Sequence, residues 1–248
     1  MGCISRRAMA LVAVVAAVSP AFAAPDANEV VRKAIESHGG ADALNKYLAC
    51  VVKSKGTIKT GDFESKFVAT NRYQLPDRGK NVIELESEAG SFAFTQVIDG
   101  DKVESYLNGK KQTLTDEQAA ETRQALYLQE LFRLTPLLQP GSYTLKLLEK
   151  SPKVGDEATT GVSVAAKGRR DVTLLFSQKS GLLVGVEQKT ADEKGKEITR
   201  VQTLSEHKKF DGVVRPAKMA ITLNGKPFTN STLDYTHFEK LPASELTK

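Results

Sequence analysis

From Cys50 to Phe238 the chain alternates in side-chain character at every second residue, with one long interruption. That period puts successive side chains on opposite faces of an extended strand. In residues 62–74, Phe63, Phe67, Ala69 and Tyr73 fall on one side, and Glu64, Lys66, Thr70 and Arg72 on the other. Strands of this kind are expected at 50–59, 62–74, 81–87, 91–98, 102–106 and 111–114. They resume at 142–149, 160–167, 170–178, 182–190, 196–205, 216–223 and 228–238. Most of the breaks are short turn sequences: Thr60-Gly61-Asp62, Glu88-Ala89-Gly90, Asp99-Gly100-Asp101, Asn108-Gly109, Ser180-Gly181, Lys194-Gly195, Asp211-Gly212 and Asn224-Gly225. Asn-Gly is the strongest of these, because both residues tolerate the positive φ of a type I′ hairpin turn. Strands joined so tightly form an antiparallel meander, and a sheet of more than about ten strands must curl.

Helical signals stand at two places. Asp26 to Ser37 opens with Asp26 as N-cap and Glu29 three residues on, carries Val30, Val31, Ala34 and Ile35 as a stripe, and stops at His38-Gly39-Gly40. A short helix, Ala41 to Leu48, follows. Residues 116–135 form the interruption among the strands: Thr115 and Gln118 make a capping box, Thr135-Pro136 ends the segment, and Leu126, Leu128, Leu131, Phe132 and Leu134 give it a wide apolar surface. The economical architecture is a mainly β (α+β) fold, a strongly curved antiparallel sheet with helices against its concave side.

The first 23 residues read as a leader. Arg6 and Arg7 precede an unbroken apolar run from Ala8 to Val18, Ser19-Pro20 breaks it, and Ala21-Phe22-Ala23 offers small residues at the cleavage positions. Cleavage after Ala23 would place the protein in the periplasm, by the general secretory route or, on the partial match around Arg6-Arg7, the twin-arginine route. One domain is expected over 24–248. Its net charge is mild: the whole chain has 35 basic and 30 acidic residues, and the leader takes two arginines away, leaving +3. With that charge and no Trp, nucleic acid is not an expected partner. No apolar run reaches the about 18 residues of a membrane-spanning helix.

Catalytic signatures are missing. There is no G-x-S-x-G, P-loop or dinucleotide fingerprint. Three histidines, His38, His207 and His237, lack carboxylates at ligand spacing; His38 reads as a helix terminus and the other two as surface residues. Cys50 loses Cys3 with the leader and reads as a buried core thiol. Glu84, Glu86 and Glu88 alternate on a solvated strand face, and Lys167, Arg169 and Arg170 mark a basic hairpin tip. No metal or other cofactor and no enzymatic activity is expected.

Several of these pieces together resemble the LolA-like periplasmic lipoprotein and lipid carriers. They are Ser37-His38-Gly39-Gly40 with Ala43-Leu44, Lys53-Ser54-Lys55-Gly56-Thr57, Val97-Ile98-Asp99-Gly100-Asp101-Lys102 and the Leu-rich mid-chain helix. Farther on come Asp171-Val172-Thr173-Leu174-Leu175-Phe176, Ser180-Gly181-Leu182-Leu183 and Phe210-Asp211-Gly212-Val213-Val214-Arg215-Pro216. The resemblance covers nearly the whole mature chain and implies an incomplete β-barrel of about eleven strands around an apolar cavity for acyl chains. Candidate cavity and lid residues are Phe67, Phe92, Phe94, Leu174, Phe176, Val184, Val186 and Ile221 on strands, with Leu128, Leu131 and Phe132 on the helix. The function so implied is a monomeric carrier for lipid-like ligands or lipoprotein acyl chains, working with membrane donor and acceptor proteins. The alternatives left open by the residues themselves are an envelope scaffold with a filled core and, more weakly, a hydrolase with an unfamiliar site.

Overall fold

In the computed structural model, residues 26–61, 63–87, 90–191 and 195–248 are described; the leader expected over residues 1–23 lies outside them. Two helices come first, α1 (Ala27–Ser37) and α2 (Gly40–Lys46). Six strands follow: β1 (Ala49–Thr60), β2 (Phe63–Gln74), β3 (Arg78–Ser87), β4 (Gly90–Asp99), β5 (Lys102–Leu107) and β6 (Lys110–Gln112). After α3 (Asp116–Leu131) and a 3-10 turn at Thr135–Leu138 come β7 (Thr144–Leu147), β8 (Thr159–Ala165), β9 (Val172–Ser177), β10 (Leu183–Ala191), β11 (Glu197–Phe210), β12 (Val213–Leu223) and β13 (Lys226–Phe238).

All belong to one 13-stranded antiparallel sheet in the order β6-β5-β4-β3-β2-β1-β13-β12-β11-β10-β9-β8-β7. The alternating pattern thus locates every strand, and the about eleven implied by the resemblance falls short. The sheet is a curved open trough. One arm runs from β1 to β6 and the other from β13 back to β7, and the arms join where β1 pairs with β13, from Ala49 opposite Phe238 to Ile58 opposite Thr229.

Local chemistry sets the boundaries. Asp26 accepts the Glu29 N–H at 2.7 Å, and both halves of the Thr115/Gln118 capping box are formed. The expected helix over 116–135 is shorter: Leu134 takes φ 63, ending the α-helix before the Pro136 turn. The strand expected to begin at Pro216 starts three residues earlier: Val213 to Pro216 already continue the ladder against Phe210 to His207 of β11, whose register runs unbroken past Glu206 although that residue takes φ 52. Gly39, at φ 113, lets the α1–α2 turn press on the β11–β12 hairpin: a Cβ there would stand 2.5 Å from the Gly212 carbonyl oxygen.

The helices fill one end of the trough. Val31, Ala34 and Ile35 of α1 and Leu128 and Leu131 of α3 pack with Val162, Val164, Val172, Leu174, Phe176, Val186 and Leu204 of β8–β11. The convex face of the other arm is strapped by the C-terminal tail. Leu241 and Leu246 pack on Ala49, Arg72 Nε meets Glu245 Oε2 at 2.7 Å, Lys80 Nζ donates to the Thr247 carbonyl, and Lys248 Nζ stands 4.1 Å above the Tyr106 ring.

Candidate functional site

The concave face of β2–β5 is written in three bands, each set by strand register. Farthest from the helices lies an apolar wall in two rows: Phe67 opposite Leu85 opposite Phe92, and Ala69 opposite Ile83 opposite Phe94 opposite Leu107. Directly opposed side chains touch across neighbouring strands, so these rows form continuous strips. They are largely uncovered: Phe92 is 37% and Leu107 40% exposed, and Phe67, Ile83, Leu85 and Phe94 are half-buried. Next comes a polar band, Asn71 opposite Asn81 opposite Gln96 opposite Ser105. Beyond it Tyr73, Ile98 and Val103 are apolar again and packed with Leu126 of α3.

The polar band marks where the helix footprint ends. Thr122 of α3 accepts from Gln96 Nε2 at 2.9 Å. One residue earlier, Glu121 turns to the other arm, where it pairs with Arg170 and accepts from Thr190 Oγ1 and the Ala191 N–H. A single turn of α3 therefore bridges both arms. The basic turn contributes to that bridge: Arg170 holds Glu121, and the Arg169 guanidinium lies 5.3 Å from the Tyr127 ring.

Under the C-terminal half of α3 the interior is nearly solid. A void of about 20 Å³ remains between His38, Tyr73, Gln129, Phe132, Leu183, Leu204, Arg215, Pro216 and Tyr235. That is room for about one water. Arg215 is buried there and donates through Nη1 to the Phe132 carbonyl at 2.6 Å, capping the last turn of α3.

The histidines differ from their sequence reading. His38 does cap α1, but it is buried and neutral: Nδ1 bonds the Ala34 carbonyl at 2.7 Å, and burial lowers its pKa to about 4, aided by the charge of Arg215. His207 and His237 are not surface residues. His207 Nε2 bonds the Leu183 carbonyl at 2.9 Å, and its pKa is lowered by burial. His237 is 8% exposed, with burial and Arg215 bringing its pKa to about 4 against the pull of Asp211. The sequence offered no signal for this, since the burial comes from Tyr47, Tyr235 and the hairpin at Asp211 packing around it. Among the described residues no group of three or more His, Cys, Asp or Glu is placed to hold a metal.

Cys50 is buried, and burial pushes its thiol up to about 11. Thiol titration of the native protein should therefore show slow labelling that becomes complete only in denaturant; immediate stoichiometric labelling would refute this.

The structure separates the sequence-predicted site residues into two groups. Phe67, Phe92 and Phe94 stand together on the open wall. Leu128, Leu131, Leu174, Phe176 and Val186 are buried in the core beneath the helices, with Phe132 at its margin and Ile221 buried on the same face of β12. Val184 lies at the β10 irregularity, buried but outside that cluster. Leu85, Ile83 and Leu107 complete the wall and were missed; their alternation with Glu84 and Glu86 was the available signal, read only for its charged side.

No protein-family model matches the chain, and neither does any curated protein. Solved structures do. A LolA superfamily protein from Nitrosomonas europaea superposes with TM-score 0.53 at 16% identity, covering 91% of this chain and 99% of its own. A DUF1329 family protein from Desulfovibrio piger gives TM-score 0.54 at 12% identity over 89% and 97%. An outer membrane lipoprotein-sorting protein domain from Vibrio parahaemolyticus gives 0.51 at 13% over 88% and 94%. The fold is therefore the LolA-like one, an open curved sheet with helices in its concavity. No helix among the described residues is long and apolar enough to cross a membrane.

Proposed function

We propose that the chain is a periplasmic carrier that holds the acyl chains of lipid-like ligands or lipoproteins along the concave face of β2–β5, without covalent chemistry. The observation that carries this reading is the wall of Phe67, Leu85, Phe92, Ile83, Phe94 and Leu107 on the concave side, which the described residues leave open. Contiguous exposed apolar surface of this sort marks a binding site. The similarity to a lipoprotein-sorting domain agrees with it. Export with cleavage after Ala23, a single domain over 24–248 and a monomeric carrier exchanging cargo with membrane partners belong to the same proposal.

The competing reading is a non-catalytic scaffold, favoured by the small size of the void under α3. Native mass spectrometry of protein taken from the periplasm separates the two. A carrier gives the mass of a chain beginning at Ala24 together with co-purified lipid, or takes up a fluorescent fatty acid once stripped. Phe94→Gln should weaken that uptake about tenfold, the worth of one well-contacted aromatic ring, while moving stability by less than about 1 kcal/mol because Phe94 is half open. A retained Met1, or a clean apo mass with no uptake, would end the corresponding part of the proposal.

A further inference from the structure

On the arm facing the wall, Arg200 of β11 makes no ion pair among the described residues. It is paired in register with Gln188 of β10, and both share the concave face with Val186 and Gln202. The Arg200 Nε is shut off from solvent and has no hydrogen-bond partner. The acid whose charge it feels is Glu121, and Glu121 is already engaged: Oε1 by Arg170 and the Ala191 N–H, Oε2 by Thr190. Glu121 is thus spent on Arg170, and Arg200, whose Nε is desolvated, makes no ion pair with it. Beside it Gln188 is buried with its Oε1 also unpartnered. Buried polar groups are ordinarily satisfied, and a cation left unpaired is costly, so this pairing calls for a group that the described residues do not supply.

We propose that Arg200 is the headgroup site of the trough, taking the carboxylate or phosphate of a single-chain anionic amphiphile whose tail lies toward the apolar wall. This rests on the carrier reading above and adds what the ligand must carry. The planar guanidinium suits both anions, since it can donate two parallel hydrogen bonds to either. The spacing suits them as well. Arg200 on β11 and Phe67 on β2 are four strands apart in the sheet order, about 19 Å along the ladder, and four residues apart in register, about 13 Å along the strands; the separation of about 23 Å over the sheet is the reach of a long, extended acyl chain. A neutral lipid would leave the cation as it is.

The test compares oleate, oleyl alcohol and oleoyl lysophosphatidate on the stripped wild-type chain, on Arg200→Gln and on Arg200→Lys. Wild type should bind oleate about tenfold or more tighter than the alcohol, the worth of a hydrogen-bonded charge. Arg200→Gln should bring oleate down to the level of the alcohol and leave alcohol binding unchanged, with Arg200→Lys in between. A preference for lysophosphatidate over oleate names a phosphate headgroup, and the reverse names a carboxylate. Equal affinity of wild type for oleate and the alcohol, or a preference that survives Arg200→Gln, overturns the Arg200 assignment alone. Should Arg200→Gln fail to fold, the wild-type comparison and Arg200→Lys decide the matter. If none of the three ligands binds wild type, the carrier reading falls and this one with it.

Discussion

Lowering the pH from about 7.5 to about 5 is expected to remove about 4 kcal/mol of folding stability through two residues, His38 and His237. Each titrates near 6.5 in the unfolded chain and at about 4 in the folded one. Because the folded pKa is the lower, the unfolded state binds protons first as the pH falls. The stabilisation is complete above about 6.5, declines through the window down to about 4, and changes no further below it. At pH 5 each histidine accounts for about 2 kcal/mol. The mechanism at His38 is visible in its contacts: Nδ1 donates to the Ala34 carbonyl and Nε2 faces the Leu183 N–H at 3.4 Å, so a proton on Nε2 would meet a donor. At His237 both ring nitrogens lack a well-formed hydrogen bond, and Arg215 adds a like charge. Carboxylates such as Glu104, held low by Lys111, Lys102 and the Tyr106 hydroxyl, titrate beneath this window. Urea unfolding at the two pH values should show the loss, and the double variant His38→Gln/His237→Gln should flatten it. An unchanged midpoint in the wild type would contradict the assignment.

Leu131→Ala is expected to destabilise the fold by about 2–5 kcal/mol, close to the cost of Phe176→Ala. Leu131 is 0% and Phe176 1% exposed, and both lie in one cluster that joins α1, α3 and strands β8–β11. Close-packed neighbours cannot relax into the space a lost isobutyl group leaves, so the cavity term adds to the transfer term. A lid over a hollow would behave differently, losing ligand retention at little cost in stability. Fatty-acid uptake should thus survive Leu131→Ala wherever the variant remains folded, since the open wall lies on the other arm. Little loss of stability together with lost uptake would make α3 a lid after all.

These two expectations mark where the sequence was legible. Strand positions were, because a half-buried strand must alternate and a tight turn must use Gly, Asn or Asp, so Asn108-Gly109 and Asn224-Gly225 could be read directly. Caps were legible for the same local reason. What alternation does not carry is which part of an apolar face another element covers. Phe94 and Ile98 are both apolar, on one face of the same strand and four residues apart; Leu126 packs with Ile98, and Phe94 is left half open. Burial of His237 likewise depends on β13 lying beside β1 and on a hairpin from β11–β12, partners far away in the chain. That the Nε of Arg200 finds no partner among the described residues depends on where Glu121 goes, which the backbone path of α3 decides.

The seam between the arms has a thermodynamic signature of its own. Every other pairing in the sheet joins neighbours in sequence, whereas Ala49 meets Phe238 across 189 intervening steps of chain. Closing so long a loop costs about 2–3 kcal/mol more chain entropy than closing a hairpin of about ten residues. The tail that follows β13 offsets part of this by running back over the first arm, with Leu241, Glu245 and Lys248 reaching Gln74, Arg72 and Tyr106 in turn. The last eight residues thus work as a clasp for the join, setting their own contacts against the entropy of its closure.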